Sequence, residues 1–418
     1  MNHSAFQLNS EFLNELHERI NALRDQYTND KGLTSLFANS PLILPDQLAS
    51  VINIAYWASH TSEEKHQIKF SLVLRNCEQS SNIFRFDKSI PLNSKNLVKL
   101  GSALESSVSD ICIWPDKHGQ FKIWGLRMRL THNLTTDLWI QVLGPGNVLI
   151  ICYGRSIAAL IRNQAIFVDP TNLFGIIVPK ICSTCKTHTF DPIQYLRLNT
   201  LLYIAQAMRA HERGGILLVI PEGSEWGKSI AQPVNYTGEA NFLDPEATSL
   251  QQPTLTITAN DLFSLFQEIA ISRNKDLMKT RMQLIDQCNR IGRLTAVDGA
   301  LVMNFDRCVH CFGATIQPIN RRSGPIEVRA MKPVEGDTGT EIMFGDLGGT
   351  RHYAAAQFAY DQPDSIAIVA SQDGHVTVFS KDASTGELLV IQQAELALMY
   401  EGIGGAMWNL SQFLDKEI

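Results

Sequence analysis

Apolar residues recur along this chain in two rhythms, one near 3.6 and one of two, and their alternation predicts its elements. Residues 9–24 place Phe12, Leu13, Leu16, Ile20 and Leu23 on one helical stripe, with Ser10 as the expected cap. A second helix is expected over 45–60. Ile68, Phe70, Leu72 and Leu74 then repeat at every second residue, as in a strand. The runs 111–114 and 121–128 flank Pro115-Asp116-Lys117-His118-Gly119 and predict a hairpin. Further strands are expected over 138–143, 147–153 and 163–168, which makes residues 30–180 an α+β region.

The polar, Thr-rich stretch from Lys180 to Pro192 marks a boundary. Beyond it, Ile193, Leu196, Leu201, Ile204, Ala205 and Met208 predict a helix from about Pro192 to His211, stopped by Gly214-Gly215. Residues 216–221 read as a fully buried strand. Residues 240–257, rich in Pro, Thr and Gln, read as a loop insertion, with helices resuming at 259–272 and 275–290. Strands recur at 300–305, 309–316, 365–371, 375–380 and 387–392, and Asp373-Gly374 predicts a tight turn between two of them. The last apolar positions, Leu396 to Phe413, read as a helix broken near Gly404-Gly405. The expected organisation is an α/β chain: a helix over 1–30, an α+β domain over 31–188, a mixed sheet flanked by helices over 189–395, and a closing helix over 396–418.

Composition narrows the function classes. The chain has 36 basic and 42 acidic residues and a formal charge of −6, without the basic excess of a non-specific nucleic-acid binder. No apolar run approaches bilayer length, the best being Val148 to Tyr153, and the first residues lack the pattern of a secretory signal. A cytoplasmic protein with no membrane partner is therefore expected. Eight cysteines in 418 residues do not make a disulfide scaffold and read as small buried hydrophobes.

The most informative stretch is GDLGGTRHYAAAQFAYD, 345–361. Gly348 and Gly349 precede Thr350, the expected N-cap of a helix with Arg351, His352 and Tyr353 in its first turn. Free N–H groups and the positive dipole end make such a start an anion site, and a guanidinium suits phosphate oxygens. Alone, the stretch also fits an ordinary capped helix with a surface Arg and His. A second stretch, AVDGALVMNF at 296–305, has Asp298-Gly299 opening a strand.

Taken in order, Asp298-Gly299-Ala300, then Gly349-Thr350-Arg351-His352-Tyr353, then Ser371-Gln372 resemble the diadenylate cyclase (DAC) family, whose pattern runs DGA, GTRHR, Ser-Glu. The upstream segment 204–223 is similar to that family's first helix and buried strand, so the resemblance spans roughly 190–395. It implies condensation of two ATP into cyclic di-AMP and pyrophosphate, with Mg²⁺ or Mn²⁺ as cofactor. It also implies a homodimer or larger homo-oligomer with facing DAC domains, and makes 31–188 a sensor domain of unknown ligand. Asp298, Arg351 and His352 are the implied catalytic residues. ATP would be held by Gly299, Ala300, Gly349, Thr350, Arg351, His352, Tyr353 and Ser371, and the metal by Asp298, His352 and Gln372. Two departures stand out: Tyr353 replaces an arginine and Gln372 a glutamate. They favour the alternative, a non-catalytic DAC-like nucleotide sensor.

Other motifs carry less. GSEWGKS at 223–229 resembles a phosphate-binding loop but has three residues between its glycines where four are needed. The pairs Cys182/Cys185 and Cys308/Cys311, near His188 and His310, have zinc-like spacing, but a shared site would need the domain boundary folded against the 300–305 sheet, and the second pair lies in an expected strand, where residues three apart face opposite sides. His60 and His211 read as surface or capping residues.

Overall fold

The structure, a computed structural model, describes residues 8–29, 43–63, 66–76, 83–104, 109–128, 137–183, 192–231, 233–235, 275–319 and 327–398. The chain divides after Val168 into two units, each built on one large sheet, and the expected mixed α/β architecture is what it has.

In the first unit, helix α1 spans Ser10–Asn29 and α2 Pro45–Ser59. Asn9, not Ser10, begins α1: its side-chain oxygen accepts the Glu11 N–H at 3.0 Å and its carbonyl the Leu13 N–H at 3.1 Å. Short strands β1 (Ser62–Glu63) and β2 (His66–Gln67) pair with each other. The main sheet holds β3 (Phe70–Leu74), β4 (Ile83–Pro91), β5 (Ser109–Pro115), β6 (Phe121–Met128), β7 (Leu138–Gly144), β8 (Asn147–Cys152), β9 (Arg155–Ile161) and β10 (Gln164–Phe167). Its order is β10-β9-β8-β7-β3-β5-β6-β4. β3 and β5 pair in parallel, which requires a crossover; helix α3 (Ser94–Ala103), capped by the Asn93 side chain, lies within it. Neither β4 nor α3 was expected. β4 is a sheet-edge strand with no buried core face, so its polar and apolar residues do not alternate cleanly. The β5–β6 hairpin forms as expected, its turn held by the Asp116 carboxylate, which accepts the His118 and Gln120 N–H groups. Arg127 of β6 is buried between Asp110 and Asp137, donating to each at 2.9 Å, and lies 5.3 Å over the Trp139 ring.

The second unit begins with α4 (Thr171–Ser183) and α5 (Pro192–Ala210). Strands β11 (Gly215–Ile220), β12 (Ile230–Ala231) and β13 (Val234–Asn235) follow, then α6 (Lys275–Leu294), β14 (Ala300–Asn304), β15 (Val309–Ile316), β16 (Glu327–Met331) and β17 (Thr340–Met343). After α7 (Thr350–Asp361) come β18 (Ile366–Ala370), β19 (Val376–Lys381), β20 (Leu388–Ile391) and the one-turn α8 (Glu395–Leu398). The sheet order is β12-β15-β14-β11-β18-β19-β20-β16-β17, with β13 also pairing β15. It is mixed: β11 pairs β14 in parallel and β18 antiparallel. Every residue of β11, β14 and β18 is buried, as expected of strands covered on both faces. α7 covers one face, its Ala355, Ala356, Phe358 and Ala359 joining Leu218, Ala367, Val369 and Phe379 in one core.

The boundary at 168/169 lies ahead of the expected 188/189 because α4 belongs with the second unit. The Asn172 amide donates to the carbonyls of Lys332 and Asp337, and the Lys180 ammonium to that of Pro363 at 2.8 Å. Pro179 inside α4 hid the helix from pattern reading. The expected insertion 240–257, the helix 259–272 and residues 399–418 of the closing helix lie outside the described residues.

Candidate functional site

Sheet register brings the separate motifs of the second unit to one edge. β11 places Ile216 opposite Ala300 of β14 and Gly215 opposite Ala370 of β18. Gly214 directly precedes β11, Asp298 lies two residues before β14 and Ser371 directly follows β18, so the three stand at the same end of adjacent strands about 5 Å apart. α7 delivers Arg351 to the same point. Its Nη1 and Cζ lie 3.0 and 3.4 Å from where a side chain on Gly214 would begin, and the Ala370 carbonyl lies 3.4 Å away. Gly214, at φ +73°, thus supplies both a left-handed backbone and room for a guanidinium. Asp298 is exposed. Neither its carboxylate nor the Arg351 guanidinium has a hydrogen-bond or ion-pair partner among the described residues.

The start of α7 corrects one expectation. Gly349, not Thr350, is the N-cap, because the helical bonding begins at its carbonyl, which accepts the His352 N–H at 2.9 Å and the Tyr353 N–H at 3.3 Å. A glycine cap has no side-chain acceptor, so the N–H groups of Thr350 and Arg351 are left for an outside partner. A side chain begun at Gly349 would meet nothing within 4 Å, so this helix start opens outward. An uncapped, open start with an uncommitted guanidinium in its first turn suits an anion.

The other candidates are more committed. The His352 ring covers Gly348, and its Nε2 lies 3.3 Å from Thr377 Oγ1. Burial lowers the His352 pKa against the opposing field of Asp373, which favours neutral imidazole. The Tyr353 hydroxyl donates to the Gly345 carbonyl, and its ring meets Phe344 edge-on at 5.3 Å, tying the preceding loop to α7. Gly299 (φ +107°) lies so close to β15 that a Cβ there would stand 2.5 Å from the Gly313 carbonyl carbon, and Ala300 is fully buried. Both shape the strand start without presenting a side chain. Ser371 is engaged in the 371–375 turn: its hydroxyl bonds the Asp373 carboxylate and accepts the His375 N–H at 3.2 Å. Gln372 is exposed at the tip of that turn.

Sequence reasoning missed four residues of this edge: Asp373, His375, Glu395 and Arg209. Asp373 was read only as half of a turn, yet it adds a carboxylate one residue after Gln372. Burial opposes its ionisation, but the Ser371 hydroxyl and His375 together hold its pKa below the ordinary carboxylate range. His375 donates from Nδ1 to buried Glu395 at 2.7 Å, and that bond raises its pKa. The second Glu395 oxygen accepts the Val376 N–H at 2.8 Å, while Arg209 of α5 donates to the Gly374 carbonyl at 2.7 Å. Asp-Gly was the only legible signal; Glu395 and Arg209 come from distant segments.

The edge can be tested for a divalent cation. No cluster of three His, Cys, Asp or Glu groups among the described residues is placed to hold a metal. The uncommitted Asp298 oxygens fit a hard cation whose remaining ligands are phosphate and water, the usual arrangement for Mg²⁺. His352 Nε2 faces Thr377 instead. Of the remaining motifs, 226–229 is a single 3₁₀ turn leading into β12, not the helix a phosphate loop needs. Cys182 lies in α4, Cys185 lies outside the described residues, and burial raises the Cys311 thiol to about 11. His211 bonds Thr295 Oγ1 at 3.1 Å.

A family model described as "Probable sensor domain DACNV" matches residues 39–128, in the first unit. That domain is an N-terminal sensor of diadenylate cyclases. No diadenylate cyclase catalytic-domain model matches the chain, and no curated protein matches it. The chain thus pairs a match to a cyclase-associated sensor with a mixed-sheet second unit whose motifs meet at one edge.

Proposed function

We propose that the protein is a diadenylate cyclase that condenses two ATP molecules into cyclic di-AMP, under control of its N-terminal sensor domain. The observation that carries this reading is the Arg351 guanidinium packed against Gly214 beside the uncapped start of α7, at the sheet end where Asp298 precedes β14. In the proposed complex the ATP phosphates accept hydrogen bonds from the Thr350 and Arg351 N–H groups and from the Arg351 guanidinium. Asp298 accepts the hydrogen bond of an incoming 3′-hydroxyl and takes its proton. The hydroxyl oxygen bonds to the α-phosphorus as the bond to pyrophosphate breaks; repetition of the step closes the ring. Such transfer rests on positioning and charge stabilisation. Bound Mg²⁺ or Mn²⁺ would supply charge neutralisation at the phosphates, with Asp298 as its protein ligand. Asp373 restores a negative charge next to Gln372, where the family pattern has glutamate. One edge of this kind holds one ATP, so product formation needs two copies of the chain facing each other.

Binding of a non-hydrolysable ATP analogue tests the cradle. Arg351→Ala should weaken it by about ten- to hundredfold, the range of a lost charge-assisted hydrogen bond. Unchanged affinity would remove Arg351 from the site. The second reading, a non-catalytic nucleotide sensor, draws on Gln372 and on Tyr353, whose hydroxyl is spent on the Gly345 carbonyl.

A further inference from the structure

Resting on the cyclase reading above, we propose that His375, Glu395 and Arg209 form a positioning clamp, which fixes the 371–374 turn and so holds the Asp373 carboxylate at the nucleotide site. None of the three clamp residues belongs to the DGA, GTRHR or Ser-Glu pattern. The turn joins β18 to β19 at the sheet end where Gly214 and Asp298 also stand. Its tip, Gln372 and Asp373, is exposed. Its own backbone already closes it: the Ser371 N–H donates to the His375 carbonyl at 2.9 Å and the Gly374 N–H to the Ser371 carbonyl at 3.1 Å. Two further segments nevertheless anchor it. Glu395 of α8, only 4% exposed, accepts from His375 Nδ1 at 2.7 Å and from the Val376 N–H at 2.8 Å. From α5, Arg209 Nε donates to the Gly374 carbonyl at 2.7 Å. Burying a carboxylate is costly unless it is paired, and an exposed turn tip gains no core packing in return. Anchoring of this kind suits a group that must be held in one place.

The second imidazole nitrogen identifies the group that is held. His375 Nε2 lies 4.0 Å from Asp373 Oδ2, and the Ser371 hydroxyl bonds Asp373 Oδ1. His375 thus stands between a buried carboxylate and an exposed one, and Asp373 is restrained at both oxygens. Asp373 is also near enough to α7 for its field to act on His352, in the first turn of that helix. The restrained carboxylate therefore lies beside the uncapped helix start that receives the phosphates in the cyclase reading. A carboxylate there repels phosphate unless a cation lies between them, so Asp373 would act together with the Mg²⁺ or Mn²⁺ of the reaction.

The test is a double-mutant cycle on the full chain with two readouts. One is turnover of ATP with Mn²⁺; the other is Mn²⁺ affinity in the presence of a non-hydrolysable ATP analogue, read from the paramagnetic resonance signal of free Mn²⁺. Asp373→Asn and His375→Ala should each lower kcat about ten- to hundredfold, with KM for ATP within about twofold of wild type, because the phosphate donors on α7 are untouched. Each should bind Mn²⁺ about three- to tenfold more weakly. The double variant should match the slower single variant within about twofold, since His375 acts through Asp373. His375→Asn, whose side-chain N–H replaces the Nδ1 donor, should stay within about threefold of the wild-type kcat. If His375→Ala does not fold, Glu395→Gln, which cannot accept both bonds, takes its place in the cycle. Losses that multiply in the double variant would overturn the clamp, as would a His375→Ala protein with wild-type kcat and Mn²⁺ affinity. So would a loss confined to the His375 variants, with Asp373→Asn unaffected. A wild type that binds the analogue and Mn²⁺ but makes no product removes the cyclase reading, and the clamp is then decided by the same cycle in Mn²⁺ affinity. If the wild type does not bind the analogue, the nucleotide site fails and the clamp with it.

Discussion

Asp298 and Arg351 bring opposite charges to neighbouring positions of one sheet edge, and neither is spent on a described partner. The glycines around them divide by what their absent side chains would meet. Gly299 has φ +107° and the β15 backbone 2.5 Å from a Cβ, whereas Gly349 has φ −77° and open space. Gly299→Ala should therefore cost at least about 2 kcal/mol and Gly349→Ala less than about 1 kcal/mol, as measured by urea denaturation. Equal costs would mean that Gly299 does not approach β15 as described. Tyr353→Phe, which removes the donor to the Gly345 carbonyl, should cost roughly 0.5–1.5 kcal/mol by the same measurement. The motif residues were legible because their types announce phosphate chemistry. The cap was misplaced by one residue because two glycines precede Thr350 and either register satisfies the local pattern. Gly214 read only as a helix stop, since the guanidinium it accommodates comes from Arg351, far along the chain.

The hairpin from β18 to β19 is a small electrostatic assembly in which His375 is clamped by buried Glu395. A histidine with a raised pKa contributes stability that is complete below its unfolded value and is lost as pH rises through the folded one. Stability of the second unit should therefore fall as pH rises above about 6.5, the ordinary histidine value. His211, His310 and His352 are lowered by burial and act with the opposite sign, in the window below that value. His375→Gln should flatten the slope above pH 6.5 in thermal unfolding scans; an unchanged slope would contradict the assignment to His375. In the first unit, Arg127→Ala strands the buried Asp110 and Asp137 carboxylates and should cost roughly 3–5 kcal/mol. Long apolar runs such as 216–221 and 300–305 predicted strands well, because burial on both faces leaves a strong signal. β4 and β17 lie at sheet edges and bury no face, so polar residues are tolerated on both sides and neither strand is legible.

For the whole molecule, two sheets in series were readable, but the division between them was displaced by α4, whose membership depends on tertiary hydrogen bonds from Asn172 and Lys180. The sensor match at 39–128 and the motif edge of the second unit fall on separate units, consistent with control and chemistry being separate tasks. The central claim is best tested by incubating the full chain with ATP and Mg²⁺ or Mn²⁺ and resolving the products by mass. The account predicts one cyclic di-AMP and two pyrophosphates from each pair of ATP molecules, with no product from Asp298→Asn at unchanged thermal stability. An ATP-binding wild type that makes no cyclic dinucleotide with either metal, or an Asp298→Asn variant as productive as the wild type, would contradict it.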